Sequence, residues 1–315
     1  MPAEPQVDRG VPPTSSPRGV GAALCAVTAW GIGNTIIASV PMSGLSVAFY
    51  RLLTAVVIYL PILYLRGGRL SADSFRYGWK GGVAFGADIA AFFVALRLTS
   101  VANATTISAL QPLVIMGFAS VMFGERIRSR HIIGAVVATL GVALVAFGSV
   151  GSGTGSLAGD LVAVIALFCW AAYFITSKQA RTHLDTFEYM TVMNMVAFMT
   201  VAPMALLAGD LFRAEGALTP GTLLTIVLIV AVPGSGHILM NWAHGHTTLV
   251  LTSLITLAMP VLSTVSAAVF LDQRVAPVQA AGIVAVLISL AVVIIGDARS
   301  SAITPDEATA GEPAP

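Results

Sequence analysis

Apolar residues along this chain fall into ten long blocks that are separated by short polar breaks. A helix that crosses a bilayer needs about 20 predominantly apolar residues. By that criterion the sequence predicts ten spans, at residues 20–38, 44–65, 79–97, 101–122, 131–149, 157–178, 187–208, 221–241, 247–270 and 278–296. Because backbone polar groups inside lipid must be bonded within the segment, the predicted fold is an all-α polytopic membrane bundle.

The two halves of the chain resemble each other. Residues 111–148 match residues 259–296 at a single offset of 148 positions, which places Pro112 on Pro260 without gaps. The span before each of these stretches matches at the same offset. Duplicated halves predict a repeat architecture with the working site between the two copies, near the bilayer midplane.

Five spans in each half is an odd number, so the second half is predicted to insert upside down relative to the first. The first helices of the two halves match more weakly, at an offset of 140, which places Trp30 on Trp170. We therefore expect two inverted five-helix repeats, at 20–149 and 157–296, joined by a linker at 150–156. Inverted repeats provide a structural route to alternating access.

The composition supports an integral membrane protein and excludes other classes. Apolar residues make up 57% of the chain, charged residues 10%, and the mean hydropathy is +0.88. A soluble domain is typically about 45–50% apolar and about 25% charged. The net charge of +1 gives no basic surface of the kind that nucleic-acid binding requires.

The distribution of Lys and Arg predicts the orientation. With both termini in the cytoplasm, 12 of the 16 basic residues fall on the inner side, whereas Arg97, Arg213 and Arg274 fall outside and Arg51 lies within a span. The polar ends of the chain, 1–19 and 297–315, are expected to be disordered cytoplasmic tails. The expected location is the cell membrane, with multiple spans.

Several short motifs in order carry a resemblance to a known family. They are AWG at 29–31, YRLLTA at 50–55, ALRLTSVANATTISALQPL at 95–113, GER at 124–126 and GAVVATLGVALV at 134–145. In their order and spacing they resemble the EamA-type branch of the drug/metabolite transporter superfamily. The resemblance implies a ten-helix transporter, and it alone suggests export. The acid of the GER motif, Glu125, aligns with Gln273 in the second copy, so no symmetrical role is expected for it.

Two charged residues stand out well inside the predicted spans, away from their ends, where a charge is costly and usually functional. Arg51 lies in the second span and Asp88 near the centre of the third. They are expected either to form a structural ion pair or to build a site for substrate charge and protons. An arginine suits a substrate carboxylate, and a carboxyl group in the bilayer can exchange a proton during a transport cycle.

Further polar and aromatic residues inside the spans are candidates for a substrate pathway. They are Trp30, Asn34, Gln111, Trp170, Tyr173, Asn194, His237 and Asn241. Small-molecule sites combine aromatic walls with a few polar groups, although the same residues also serve packing and interhelical hydrogen bonds. His237, Asn241 and His244 share one helical face, but no third strong ligand is evident, so no metal site and no cofactor are predicted.

Three prolines inside spans are predicted hinges: Pro112 and Pro260 in equivalent positions, and Pro233. Pro233 belongs to the segment VPGSGH at 232–237, which is expected to break the eighth span because proline removes a donor and glycine weakens helices. A static kink used for packing is the competing interpretation.

The predicted function is that of a secondary active transporter, an exporter of small amino-acid-like or drug-like metabolites, with possible proton coupling. No GxxxxGK[ST] motif or room for a nucleotide-binding domain is present, so ATP does not drive transport within this chain. An intramembrane enzyme using Ser235 or Asp88 and a non-transporting scaffold are the alternatives. The expected partners are a small-molecule substrate, membrane lipid and, if transport is proton-coupled, protons, without nucleic acid; the oligomeric state is not predicted.

Overall fold

The computed structural model describes residues 16–148, 156–209, 211 and 219–303, and the regular elements of these residues are all helical. The helices are α1 (Pro17–Ala38), α2 (Gly44–Leu65), α3 (Ala72–Leu98), α4 (Val101–Ser108), α5 (Gln111–Phe123), α6 (Ser129–Phe147), α7 (Leu157–Ala180), α8 (Thr186–Leu207), α9 (Pro220–His244), α10 (Leu249–Ile255), α11 (Ala258–Phe270) and α12 (Pro277–Ile303). Ten segments of the described chain are long and apolar enough to cross a membrane, which confirms the ten predicted spans. The pairs α4–α5 and α10–α11 each make one of them.

The bundle has two ends, which we name by the connections that they carry. The terminal face carries Ser16 and the connections at 66–71, 124–128, 181–185 and 245–248. The opposite face carries the connections at 39–43, 99–100 and 271–276.

Small polar residues cap the helices and account for where they begin. Ser71, for example, exchanges hydrogen bonds with Ser74 in a capping box, so α3 starts seven residues before the predicted span. At the chain ends, the predicted tails are wrong in extent. Helix α1 begins at Pro17 and α12 continues to Ile303, and the remainder of both tails lies outside the described residues, as do residues 150–155 of the predicted linker.

The fourth and ninth spans are interrupted, which the sequence prediction missed. Turns at 109–110 and 256–257 separate α4 from α5 and α10 from α11. Pro112 and Pro260 follow these turns, and each lacks the N–H that would bond the carbonyl four residues back. The two interruptions meet, since Gln111 Nε2 donates to Thr256 Oγ1 at 2.9 Å. Their role as hinges stays a prediction.

The predicted break at 232–237 is wrong, because α9 runs without interruption through Pro233. Its glycines serve close packing instead: a Cβ at Gly236 would lie 2.7 Å from Trp30 Nε1. The same indole nitrogen donates to the carbonyl of Pro233 at 3.1 Å. The Trp30 side chain thus packs α1 closely against the segment of α9 that contains Pro233.

The first helix of each repeat packs into the other repeat. Helix α1 packs most extensively against α9, and α7 against α3. A Cβ at Gly19 would lie 2.8 Å from His246 O, and one at Gly159 would lie 2.6 Å from the carbonyl carbon of Leu98. These positions are related by the offsets of 140 and 148 found in the sequence, so the two repeats are confirmed by equivalent contacts.

The last helices of the repeats, α6 and α12, pack through small residues. A Cβ on Gly282 would lie 2.5 Å from Gly141 O, and Ser289 donates to Gly134 O at 2.8 Å. Close backbone approach of this kind is the usual driving geometry for helix association in lipid. The glycines of α6, which recur every seventh residue, are therefore used within the chain.

Candidate functional site

A cavity lies at mid-depth in the bundle between the two repeats. It is formed by α2 and α3 of the first repeat and α8 and α9 of the second. Its lining residues are Arg51, Leu52, Ala55, Tyr59, Phe85, Met190, Asn194, Ile229, Val230, Gly234 and His237. The space open to the centre of a water molecule is about 20 Å³, enough for about one water. A metabolite would fit only after the helices move apart.

Arg51 is the only charged residue in the described lining of this cavity. Its guanidinium lies over the ring of Phe85, 5.4 Å from the centroid, as in a cation–π contact. Among the described residues it makes no hydrogen bond or ion pair within 4.0 Å. Five N–H donors thus remain available to a ligand, and a planar fork of donors matches a carboxylate.

Asp88 follows Phe85 by one turn of α3 and is 9% exposed. It does not line the cavity, although it lies close enough to Arg51 for the two side chains to influence each other electrostatically. The two groups do not form the predicted direct ion pair in the described structure, since no oxygen–nitrogen distance between them is within 4.0 Å. Asp88 therefore does not occupy the donors of Arg51.

Aromatic rings surround His237 on one side of the cavity. The imidazole lies 4.8 Å from the Trp30 ring and 4.7 Å from the Phe85 ring, measured between centroids. Trp30 and Trp170, which the repeat relates, meet edge to face at 5.6 Å. Such pairs contribute about 0.5–1.5 kcal/mol beyond their area burial. The two tryptophans pack around His237 and so hold its ring in place, but they do not themselves line the cavity.

A buried chain of hydrogen bonds runs from His237 toward the terminal face. Tyr173 Oη lies 3.3 Å from His237 Nδ1, and Asn241 Nδ2 donates to Tyr173 Oη at 2.8 Å. Ser177 Oγ donates to Asn241 Oδ1 and lies 3.0 Å from His244 Nδ1. Tyr173 and Asn241, which the sequence predicted as pathway residues, therefore contact His237 on its side away from the cavity.

The remaining candidates are divided between the cavity and other contacts. Asn194 lines the cavity and donates to Met190 O at 2.7 Å. Asn34 lies outside it, where its amide donates to Ser263 Oγ at 2.9 Å. Gln111 also lies elsewhere, at the junction of the two interrupted spans.

Sequence reasoning missed Tyr59 and Phe85 as lining residues. Tyr59 lies two turns after Arg51, with Ala55 between them, so the three share one face of α2. That spacing was a readable signal for Tyr59. The sequence contained no such signal for Phe85, because an aromatic residue in an apolar span is ordinarily a packing residue.

A second polar cluster lies at the terminal face, and the sequence analysis did not predict it. Lys178 Nζ lies 2.7 Å from Glu125 Oε1 and donates to Thr247 O at 3.0 Å. The Glu125 carboxylate in addition accepts the backbone N–H groups of Leu249 and Val250, at 2.7 and 2.9 Å, which begin α10. The Lys178 side chain is fully buried, although sequence reasoning counted it with the cytoplasmic loop charges.

This second cluster joins the two repeats on one side only. Glu125 belongs to the first repeat, whereas Lys178 and α10 belong to the second. At the opposite face the aligned Gln273 is exposed, together with Asp272 and Arg274. The expected asymmetry of the acidic position is therefore present in the structure, and only the terminal face has a buried polar closure at this motif.

Two chemical alternatives find no support in the described residues. Ser235 Oγ donates to Val232 O at 2.6 Å in its own helix and faces no general base. The described chain also contains no group of three His, Cys, Asp or Glu side chains placed to hold a metal ion.

The fold and the site together define a multi-pass membrane protein built from two inverted repeats around a central cavity. A family model described as the EamA-like transporter family matches residues 17–147 and again 157–295. The chain therefore belongs to the EamA-like transporter family, and its class is that of a transporter.

Individual relatives are distant. A protein of Salmonella typhimurium strain LT2, named "Probable amino-acid metabolite efflux pump", is 21% identical over 285 residues, which cover 87% of this chain and 94% of that protein. A solved crystal structure with 21% identity superposes with a TM-score of 0.71 over 89% of this chain and 98% of the other. At this identity the superposition shows that the fold is shared.

Proposed function

We propose that this protein is a secondary active exporter of small amino-acid-like metabolites that works by alternating access. The observation that carries the proposal is the mid-depth cavity between the repeats, in which Arg51 offers donors that no described residue accepts. Ligand sites at the junction of inverted repeats are the common arrangement in secondary transporters. The printed name of the Salmonella relative agrees with this substrate class.

The charge of the cavity favours a substrate with a carboxylate over a cationic drug. Arg51 is the charged group of the described lining, and that lining contains no Asp or Glu. A cationic ligand would meet a like charge without a nearby counter-ion in the wall. An amino acid would place its carboxylate on Arg51, whose planar fork of donors matches that group.

The two faces of the bundle support alternating access. At the terminal face the buried Glu125–Lys178 pair and the capped start of α10 join the two repeats, whereas the residues aligned with Glu125 at the opposite face are exposed and the repeats are joined there by Thr99 and Asp160. With the termini in the cytoplasm, as the Lys and Arg distribution predicts, the side with the buried pair is the cytoplasmic one. Substrate loading for export then requires that the Glu125–Lys178 pair separates.

Transport by the purified protein in liposomes tests the proposal. Vesicles loaded with unlabelled L-leucine or L-phenylalanine should accumulate the radioactive amino acid by counterflow, and vesicles loaded with the corresponding amines should not. A preceding thermal-shift screen selects the compound, since a ligand of the native state raises its apparent stability. Absence of counterflow for every compound that stabilises the protein would contradict a transport function.

Proton coupling rests on Asp88 and has its own expected result. Asp88→Asn keeps the size of the side chain but removes the ionisable group, so a pH gradient should no longer drive transport, while counterflow should continue. The measurement compares gradient-driven uptake with counterflow for the same amino acid. If the variant retains the pH dependence and proton flux of the unmodified protein, Asp88 is a structural residue that shapes the potential around Arg51.

A further inference from the structure

His237 lines the cavity and heads the buried hydrogen-bond chain, so its protonated nitrogen can be worked out from its neighbours. The residue is 8% exposed, and its Nε2 atom has no hydrogen-bond partner among the described residues. The other nitrogen, Nδ1, faces Tyr173 Oη at 3.3 Å. Which nitrogen carries the proton decides whether the cavity meets a donor or an acceptor.

The orientation of the Asn241 amide is fixed by a backbone carbonyl. Asn241 Nδ2 lies 2.8 Å from His237 O, which can only accept, so the nitrogen and not the oxygen must face it. The amide oxygen then faces Ser177, whose hydroxyl proton it accepts. Because Ser177 has one proton, its oxygen must accept from His244, which therefore carries its proton on Nδ1.

The Asn241 amide also fixes the direction of the hydrogen bonds between Tyr173 and His237. Asn241 Nδ2 donates to Tyr173 Oη, so the phenol oxygen already serves as an acceptor. Tyr173 is fully buried, and an unsatisfied hydroxyl proton there would be costly. The acceptor within reach is His237 Nδ1, which must be unprotonated. The proton of His237 is thereby placed on Nε2.

We propose that His237 is a specificity-determining residue that presents a fixed Nε2–H donor to a hydrogen-bond acceptor of the substrate. Tyr173 and Asn241 are positioning residues that hold His237 in this tautomer. The role in substrate selection rests on the proposed transport function. Arg51 and His237 then donate hydrogen bonds to the same acceptor-rich group of the substrate, such as a carboxylate, from two sides of the cavity.

Histidine nitrogen NMR on the ligand-free protein tests the tautomer directly. The chain has five histidines, and the variants His237→Gln and His244→Gln assign the two signals. We expect the proton on Nε2 in His237 and on Nδ1 in His244. A proton on His237 Nδ1, or averaging between both nitrogens, would overturn the inference.

Two tyrosine variants separate positioning from general packing. Tyr173→Phe should release His237 into a mixture of tautomers, because the donor to Nδ1 is lost. The matched control is Tyr59→Phe, which also removes a phenol at the cavity but lies outside the chain of hydrogen bonds, and it should leave both signals unchanged. Retention of a single His237 tautomer in Tyr173→Phe would assign no positioning role to Tyr173.

Titration with acetate and with methylammonium tests the contact with a ligand. Acetate should shift the Nε2 signal of His237 and leave that of His244 in place, and methylammonium should shift neither. A response to methylammonium in place of acetate, or no response to acetate, would overturn the donor role. If His237 responds to acetate but no transport is found, only the proposed transport function is contradicted. If transport is found but His237 lacks the proton on Nε2, only the inference about His237 is contradicted.

Discussion

Replacing Lys178 with methionine should cost about 3–5 kcal/mol of stability, the usual result of removing one partner from a buried ion pair. The Glu125 carboxylate would keep its bonds to the N–H groups of Leu249 and Val250 but would lose the buried cation that neutralises it. Chemical unfolding of the purified protein measures the loss. Glu125→Gln should be destabilising for the complementary reason, because it leaves the Lys178 ammonium group buried with a neutral partner.

The double variant Glu125→Gln/Lys178→Met is the decisive comparison. It removes both charges, so it should be more stable than either single variant, since a well-packed neutral pair often replaces a buried ion pair without loss. Gln273→Ala changes the aligned, exposed position at the opposite face and serves as the matched control, with an expected effect within about 0.5 kcal/mol. Additive single effects would show that Glu125 and Lys178 do not act as a pair.

Replacing Arg51 with glutamine should weaken binding of the transported amino acid by about 30-fold or more, which corresponds to at least about 2 kcal/mol. The variant keeps hydrogen-bond donors but loses the charge and the planar fork that match a carboxylate. Arg51→Lys should give an intermediate loss, because it keeps the charge alone. Calorimetric titration with the compound found by the stability screen measures the affinities.

Arg66→Gln is the matched control for Arg51. Arg66 directly follows α2 and also lies over an aromatic ring, 5.2 Å from the Phe187 centroid, but it is exposed and outside the cavity lining. The affinity of the Arg66→Gln protein for the same compound should equal that of the unmodified protein. An unchanged affinity in a normally folded Arg51→Gln protein would remove Arg51 from the substrate site.

The sequence predicted the ten spans and the repeat well because both depend on local or self-similar patterns. A membrane span is a length of apolar residues, and it needs no knowledge of its neighbours. The repeat was read by comparing the chain with itself, and Trp30 and Trp170, which it aligned, contact each other in the bundle. The polar face of His237 and Asn241 followed from helical periodicity alone.

The failures concern what a residue meets across the bundle. VPGSGH has the composition of a break, yet α9 is continuous there and Trp30 of α1 bonds to the Pro233 carbonyl. The real interruptions instead precede the less conspicuous Pro112 and Pro260. Lys178 resembled a loop cation because its partner, Glu125, lies 53 residues away in the other repeat. No local pattern encodes such a pairing, and the lining role of Phe85 was hidden for the same reason.

The exchange of first helices between the repeats has a consequence for biosynthesis. The Trp30 indole and its acceptor at Pro233 are separated by 203 residues, and α1 packs mainly on α9. At a synthesis rate of about 5–20 residues per second, α1 waits about 10–40 s in the membrane before its partner emerges. During that interval the surface of α1 that packs on α9 in the folded protein lacks its partner. The two repeats are therefore one folding unit, and a nascent first half cannot complete its own structure until the second has been inserted.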